Sequence, residues 1–109
     1  MRNDVQAKEN RRMAVTRINE FRAKVGEGDA LRDLLRAAVP EIAAAAGCLS
    51  CQLLQGRDAP ERIVVLEVWE SPEAHQASLR DVPAEVFAPV MALLDGRPSG
   101  AYFDAVDAG

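Results

Sequence analysis

Long apolar runs are missing: no stretch of about 18 apolar residues occurs in the 109-residue chain, which excludes a membrane-spanning helix. The opening Met1-Arg2-Asn3-Asp4 lacks the apolar stretch of a signal peptide, and Arg11-Arg12 is not followed by one. A cytoplasmic location is therefore expected. Cysteine is scarce, with Cys48 and Cys51 alone, so free thiols in a reducing compartment are expected rather than a disulfide framework. Basic residues are too few to face nucleic acid. The formal net charge is −4 and the sequence pI is near 5.0, whereas phosphate binding needs a basic face. His75 is the only histidine, and neither a Ser-His-Asp arrangement, a glycine-rich dinucleotide loop nor a Walker loop is visible.

What is present is ordinary globular material, 49% hydrophobic and 28% charged, enough for one domain with a modest core. Charge is spread unevenly. Met1–Arg12 holds four bases and two acids, which leaves nine bases against fifteen acids in the rest. Residues 1–12 read as a flexible N-terminal extension, and residues 13–106 as the folded domain.

Hydrophobic periodicity gives the elements. Met13–Val25 alternates as a strand, with Val15, Arg17, Asn19, Phe21 and Ala23 on one face and Thr16, Ile18, Glu20 and Arg22 on the other. Asp29 is the expected N-cap of a helix whose stripe runs Leu31, Leu34, Leu35, Ala38, Ile42 and Ala45. Pro40 predicts a kink or break in it, and Gly47 a stop. Cys48–Gln55 and Arg62–Trp69 form a hairpin across Gly56-Arg57-Asp58-Ala59-Pro60. Ser71-Pro72-Glu73 opens a second helix, through an N-cap hydroxyl and a proline at the first helical position. Pro83 interrupts this helix; a further piece runs from Ala84 to Leu94, and Ser99–Val106 is a last strand.

The order β-α-β-β-α-β predicts an α+β, ferredoxin-like fold: an antiparallel sheet with two helices on one face. Arg62–Trp69 is nevertheless apolar on both faces, with Ile63 and Val65 on one and Val64, Leu66 and Val68 on the other. A half-covered antiparallel sheet alternates instead. The open face is expected to meet another copy, giving a homodimer through sheet faces.

Three stretches carry a resemblance: Asn19-Glu20-Phe21-Arg22-Ala23-Lys24-Val25-Gly26-Glu27-Gly28, Ala46-Gly47-Cys48-Leu49-Ser50-Cys51, and Leu66-Glu67-Val68-Trp69-Glu70-Ser71-Pro72-Glu73-Ala74-His75. The chain resembles the antibiotic biosynthesis monooxygenase domain, a dimeric α/β-barrel family, over about residues 13–106. The resemblance implies oxygenation without flavin, metal or other cofactor, on a phenolic or quinol-type aromatic molecule whose phenolate passes an electron to O2. The protein would bind, position and manage one proton. The superfamily also holds haem degraders, but their iron ligand lies well inside the second helix, and Ala84–Val90 contains no histidine. Ser78 stands where the family often carries a further histidine.

The resemblance places Asn19 as a hydrogen-bonding catalytic residue; an asparagine satisfied by backbone or water is the competing reading. Trp69 is either a pocket wall stacked on an aromatic ring or a large core residue. His75, with its near-neutral pKa, suits proton transfer, although a lone helical histidine is commonly just hydrogen-bonded. Glu67 shares strand parity with Trp69 and, with Phe21 and Phe87, completes the expected substrate contacts. Cys48 and Cys51 are expected to point to opposite faces of their strand, as positions i and i+3 do, and so to act as small buried hydrophobes. The rival classes are a non-catalytic small-molecule-binding or stress-related dimer, and a regulatory half that pairs with another protein.

Overall fold

The structure, a computed structural model, describes residues 14–106; the expected extension at residues 1–12 lies outside them. Its elements are β1 (Val15–Arg22), α1 (Gly28–Ala43), β2 (Cys48–Gln55), β3 (Arg62–Trp69), α2 (Pro72–Leu79), α3 (Ala84–Ala92) and β4 (Ser99–Phe103). This is the expected α+β ferredoxin-like order, with the second helical region split in two. Pro83 makes the split: it sits extended at the N-cap of α3, with φ −63° and ψ 147°.

The strands form one antiparallel sheet in the order β2-β3-β1-β4. Register decides which side chains meet. Phe21 faces Ile63, Asn19 faces Val65, Arg17 faces Glu67 and Val15 faces Trp69 across β1 and β3. On the other flank of β1, Arg17 pairs with Tyr102 and Asn19 with Gly100. The strand stops earlier than periodicity predicts: Ala23 forms an isolated bridge to Leu94, and Val25 is exposed.

The helices cover one face. Leu31 and Leu35 of α1 pack with Ala23, Ile63, Val65 and Leu94, and Phe21, Leu53, Val90 and Leu93 close the cluster. Burial along β3 alternates buried and half-buried, so Ile63, Val65, Glu67 and Trp69 point under the helices. Ile18, Val64, Leu66 and Val68 lie half-buried on the opposite face, beside exposed Leu54 and Phe103.

Two expectations change at α1. The helix begins at Gly28 with Glu27 as a cap that makes no side-chain bond, while Asp29 sits in the first turn and pairs with Arg32 at 3.0 Å. An acid there favours the positive end of the helix dipole without capping it. Pro40 does not end the helix, which runs on to Ala43. The proline leaves the Arg36 carbonyl without its helical donor. Both residues are exposed, so water can satisfy that oxygen. Gly47 ends the turn after α1 at φ +86°, and a side chain there would strike Ala74 of α2.

Candidate polar site between the sheet and the second helix

Along β3 the buried face changes character. Ile63 and Val65 are apolar, but the next inward residue is Glu67, only 6% exposed. A buried carboxylate is costly unless hydrogen-bonded. Glu67 accepts from Trp69 Nε1 on Oε1 at 2.8 Å and from Asn19 Nδ2 on Oε2 at 2.7 Å. Asn19 also donates to the Val65 carbonyl at 3.3 Å and accepts from Arg17 Nε at 3.1 Å. These partners fix its amide orientation: two acceptors must face the nitrogen and one donor the oxygen.

His75 reaches the site because α2 starts sharply. Ser71 Oγ accepts from the Ala74 amide at 3.1 Å, with Pro72 at the first helical position. His75 is the buried residue of that helix. Its Nδ1 lies 2.7 Å from the Tyr102 hydroxyl, and its ring packs 5.4 Å from Trp69 and edge-on to Tyr102. Nε2 lies 4.0 Å from Glu67 Oε1. A lone pair aimed at a carboxylate would be repelled, so the proton belongs on Nε2 and Nδ1 accepts from Tyr102.

Burial pushes the Glu67 carboxyl above its ordinary range, opposed by the Trp69 hydrogen bond, the Arg17 charge and the Asn19 hydrogen bond. Desolvation, then the Arg17 charge, pushes His75 below its ordinary value. His75 is therefore neutral at pH 7. Its 4.0 Å approach to Glu67 is not an ion pair, and it is too long for a hydrogen bond. Every buried side-chain nitrogen and oxygen among the described residues has a partner.

Asn19, Glu67, Trp69 and His75 thus come together. Phe21 lies instead at the edge of the apolar core, and Phe87 is 44% exposed on α3, outside the polar cluster. Sequence reasoning missed Arg17 and Tyr102. Arg17 was visible by parity with Asn19. Tyr102 required the β1–β4 register, which no local pattern supplies. Open grooves of about 420 Å³ beside Arg32, Arg36 and Leu53, and about 330 Å³ beside Gly47, Glu70 and Ala74, do not touch the cluster.

The cysteine geometry differs from expectation. Cys48 pairs with Trp69 but Ser50 with Val68, so a bulge at Leu49 shifts the register. Cys51 then faces Glu67, and both sulfurs project on the helix-covered face. They are free and half-buried. Desolvation, with the nearby Glu67 charge, raises both thiols, Cys51 to about 11, so neither is a reactive thiolate at neutral pH. Among the described residues, no three His, Cys, Asp or Glu side chains gather as a metal site would require.

Residues 14–87 match the model of a family described as antibiotic biosynthesis monooxygenase. Solved structures share the fold. Rv0793 from Mycobacterium tuberculosis is 27% identical, with 86% of this chain and 96% of that one covered and a TM-score of 0.73. For PA3566 from Pseudomonas aeruginosa the values are 26%, 87%, 96% and 0.74. SnoaB, a cofactor-independent oxygenase from Streptomyces nogalater, is 21% identical, covered over 88% and 96%, with a TM-score of 0.74. At that identity the likeness concerns the fold. Among curated protein sequences, none matches the chain.

Proposed function

Since the chain belongs to the antibiotic biosynthesis monooxygenase family, we propose that it is a cofactor-independent monooxygenase that uses O2 to oxidise a phenolic or quinol-type aromatic substrate. The observation that carries this reading is the buried Glu67 carboxylate, clamped by Asn19 and Trp69 beside His75. Its raised pKa makes it a stronger base than a solvated carboxylate, which suits removal of a phenolic proton. The resulting phenolate passes one electron to O2, and the aryloxyl radical and superoxide recombine with a new C–O bond. The hydroperoxide then loses water to leave a quinone: one O2 is consumed, one oxygen atom enters the ring product and the other leaves as water. Asn19 and Trp69 act on this chemistry through Glu67 and are positioning residues. Glu67 returns its proton to the peroxide anion, while His75, its tautomer fixed by Tyr102, turns Nε2–H toward the carboxylate from 4.0 Å.

The same reading has the protein working as a homodimer through the open sheet face. Ile18, Val64, Leu66 and Val68 form an apolar surface continuous with exposed Leu54 and Phe103, and a second copy would cover it. Leu66→Glu should then halve the mass seen by sedimentation.

A non-catalytic small-molecule-binding dimer is the alternative. Asn19 favours it, because both amide ends are already spent within the protein. Oxygen uptake separates the two. Metal-free protein with hydroquinones, dihydroxynaphthalenes and anthrones should consume oxygen above autoxidation, and Glu67→Gln should lower the rate by about 100-fold or more. Equal rates in both proteins, or none above background, would leave the binding reading.

A further inference from the structure

Arg17 brings to the polar cluster a charged donor group with most of its hydrogen-bonding capacity to spare. Only its Nε is engaged among the described residues, by Asn19 Oδ1 at 3.1 Å. The guanidinium lies over the Tyr102 ring, 4.8 Å from its centroid. On β4 it rests where a side chain is missing. A Cβ at Gly100 would collide with Arg17 Nη2, and would fall 2.7 Å from Cζ and 3.0 Å from Nε. The planar head is therefore held by three neighbours: an amide oxygen, an aromatic face and a bare strand. Its charge reaches both buried titratable groups, easing ionisation of Glu67 and opposing protonation of His75. It nonetheless forms no ion pair within 4.0 Å with Glu67 or any other described carboxylate.

A guanidinium fixed through Nε keeps both Nη groups for a ligand. That fork matches the two oxygens of a carboxylate. We propose that Arg17 is the substrate's anion anchor, so that the molecule taken up is an aromatic carboxylic acid whose ring lies toward Trp69 and His75. This rests on the reading of the polar cluster as the substrate site and adds the substrate's charge to it. Gly100 is a specificity residue in the same sense, since it alone admits the guanidinium against β4.

The test is binding, independent of turnover. Calorimetry on the full chain uses 2-naphthoate and the neutral isostere 2-naphthalenemethanol. The wild type should prefer the carboxylate. Arg17→Gln and Gly100→Ala should each lose about tenfold or more for 2-naphthoate and stay within about twofold for the alcohol, the span of a charge-assisted hydrogen bond. Arg17→Lys should recover part of the loss, because charge without the fork persists. In both weakened variants the His75 ring, followed by NMR, should titrate at higher pH than in the wild type, which shows that the cation has left its slot in a folded protein. Carboxylate binding that Arg17→Gln leaves intact, equal affinity for the two ligands, or no binding of either overturns the proposal. Carboxylate selectivity without oxygen uptake on hydroxynaphthoates would keep it while removing the oxygenase reading.

Discussion

The two halves of the helix-covered sheet face are built from the same strands and folded by the same alternation, yet they solve burial differently. In one half, Ile63 and Val65 meet Leu31, Leu35, Ala23 and Leu94 with no polar atom to satisfy. In the other, two residues further along β3, Glu67 accepts hydrogen bonds from Asn19 and Trp69, and His75, packed against Trp69, is hydrogen-bonded to Tyr102. The apolar half gains from every Å² it removes from water. The polar half must offset the desolvation of a carboxylate, and well-packed apolar residues of similar volume would give equal or greater stability. Stability therefore explains the first half and does not explain the second, which makes the second the place to look for chemistry.

The largest effect is expected in the apolar half. Leu31 is fully buried, and Leu31→Ala should destabilise the fold by about 2–5 kcal/mol in urea unfolding. Its cost should not depend on pH between 4 and 8, because the titratable group packed against that cluster, Cys51, is pushed up to about 11. A strong pH dependence would mean that the two halves are mechanically one and would break the comparison.

Glu67→Gln comes next and tests the other half. The amide keeps the shape but offers one oxygen where the carboxylate offers two, leaving Asn19 or Trp69 without an acceptor, at about 1–3 kcal/mol. Here pH matters, with opposite signs for two groups. Glu67 has a raised folded-state pKa, so the folded protein holds its proton more tightly than the unfolded chain. Its stabilising effect is complete below the ordinary value of 4.5 and is lost as pH rises through the folded value. His75 is lowered from 6.5, so its contribution is present above 6.5 and is lost as pH falls through its folded value. In urea unfolding from pH 4 to 8, Glu67→Gln should erase the first trend and His75→Gln the second. Parallel curves for all three proteins would show that neither group senses folding.

Which parts of this were legible in the sequence follows from how far the information travels along the chain. The strand faces were readable because parity is local, and β1 places Arg17, Asn19 and Phe21 together as alternation predicts. The start of α2 was readable because Ser71-Pro72-Glu73 states its own cap. Asn19, Glu67, Trp69 and His75 were named as candidates by resemblance and parity, but their mutual contacts depend on the register between β1 and β3, separated by more than forty residues. Tyr102 enters from β4, whose place beside β1 rather than β2 is a matter of sheet order. The cysteines were misplaced because a bulge inverts parity, and a bulge at Leu49 carries no signal stronger than its flanking Gly47. Phe87 failed to join the cluster because α3 buries none of its residues.

The smallest expected effect joins the halves at their weakest element. The eight-residue α2 delivers His75 with one buried side chain and a single capped first turn. A helix so short has little stability of its own, and its position depends on tertiary contacts and on the cap. Ser71→Ala removes the acceptor of the Ala74 amide, one turn from His75, and should cost about 1 kcal/mol. In the apolar half, a loss of that size would only shift the unfolding midpoint. In the polar half it should do more. The His75 ring would part more often from Tyr102 and Trp69 and meet water, and its NMR titration should move up toward 6.5 while the protein remains folded. An unchanged titration in a destabilised protein would mean that the Tyr102 and Trp69 contacts hold the imidazole without the helix. The polar cluster would then be as self-supporting as the apolar core, and the contrast between the two halves would reduce to composition.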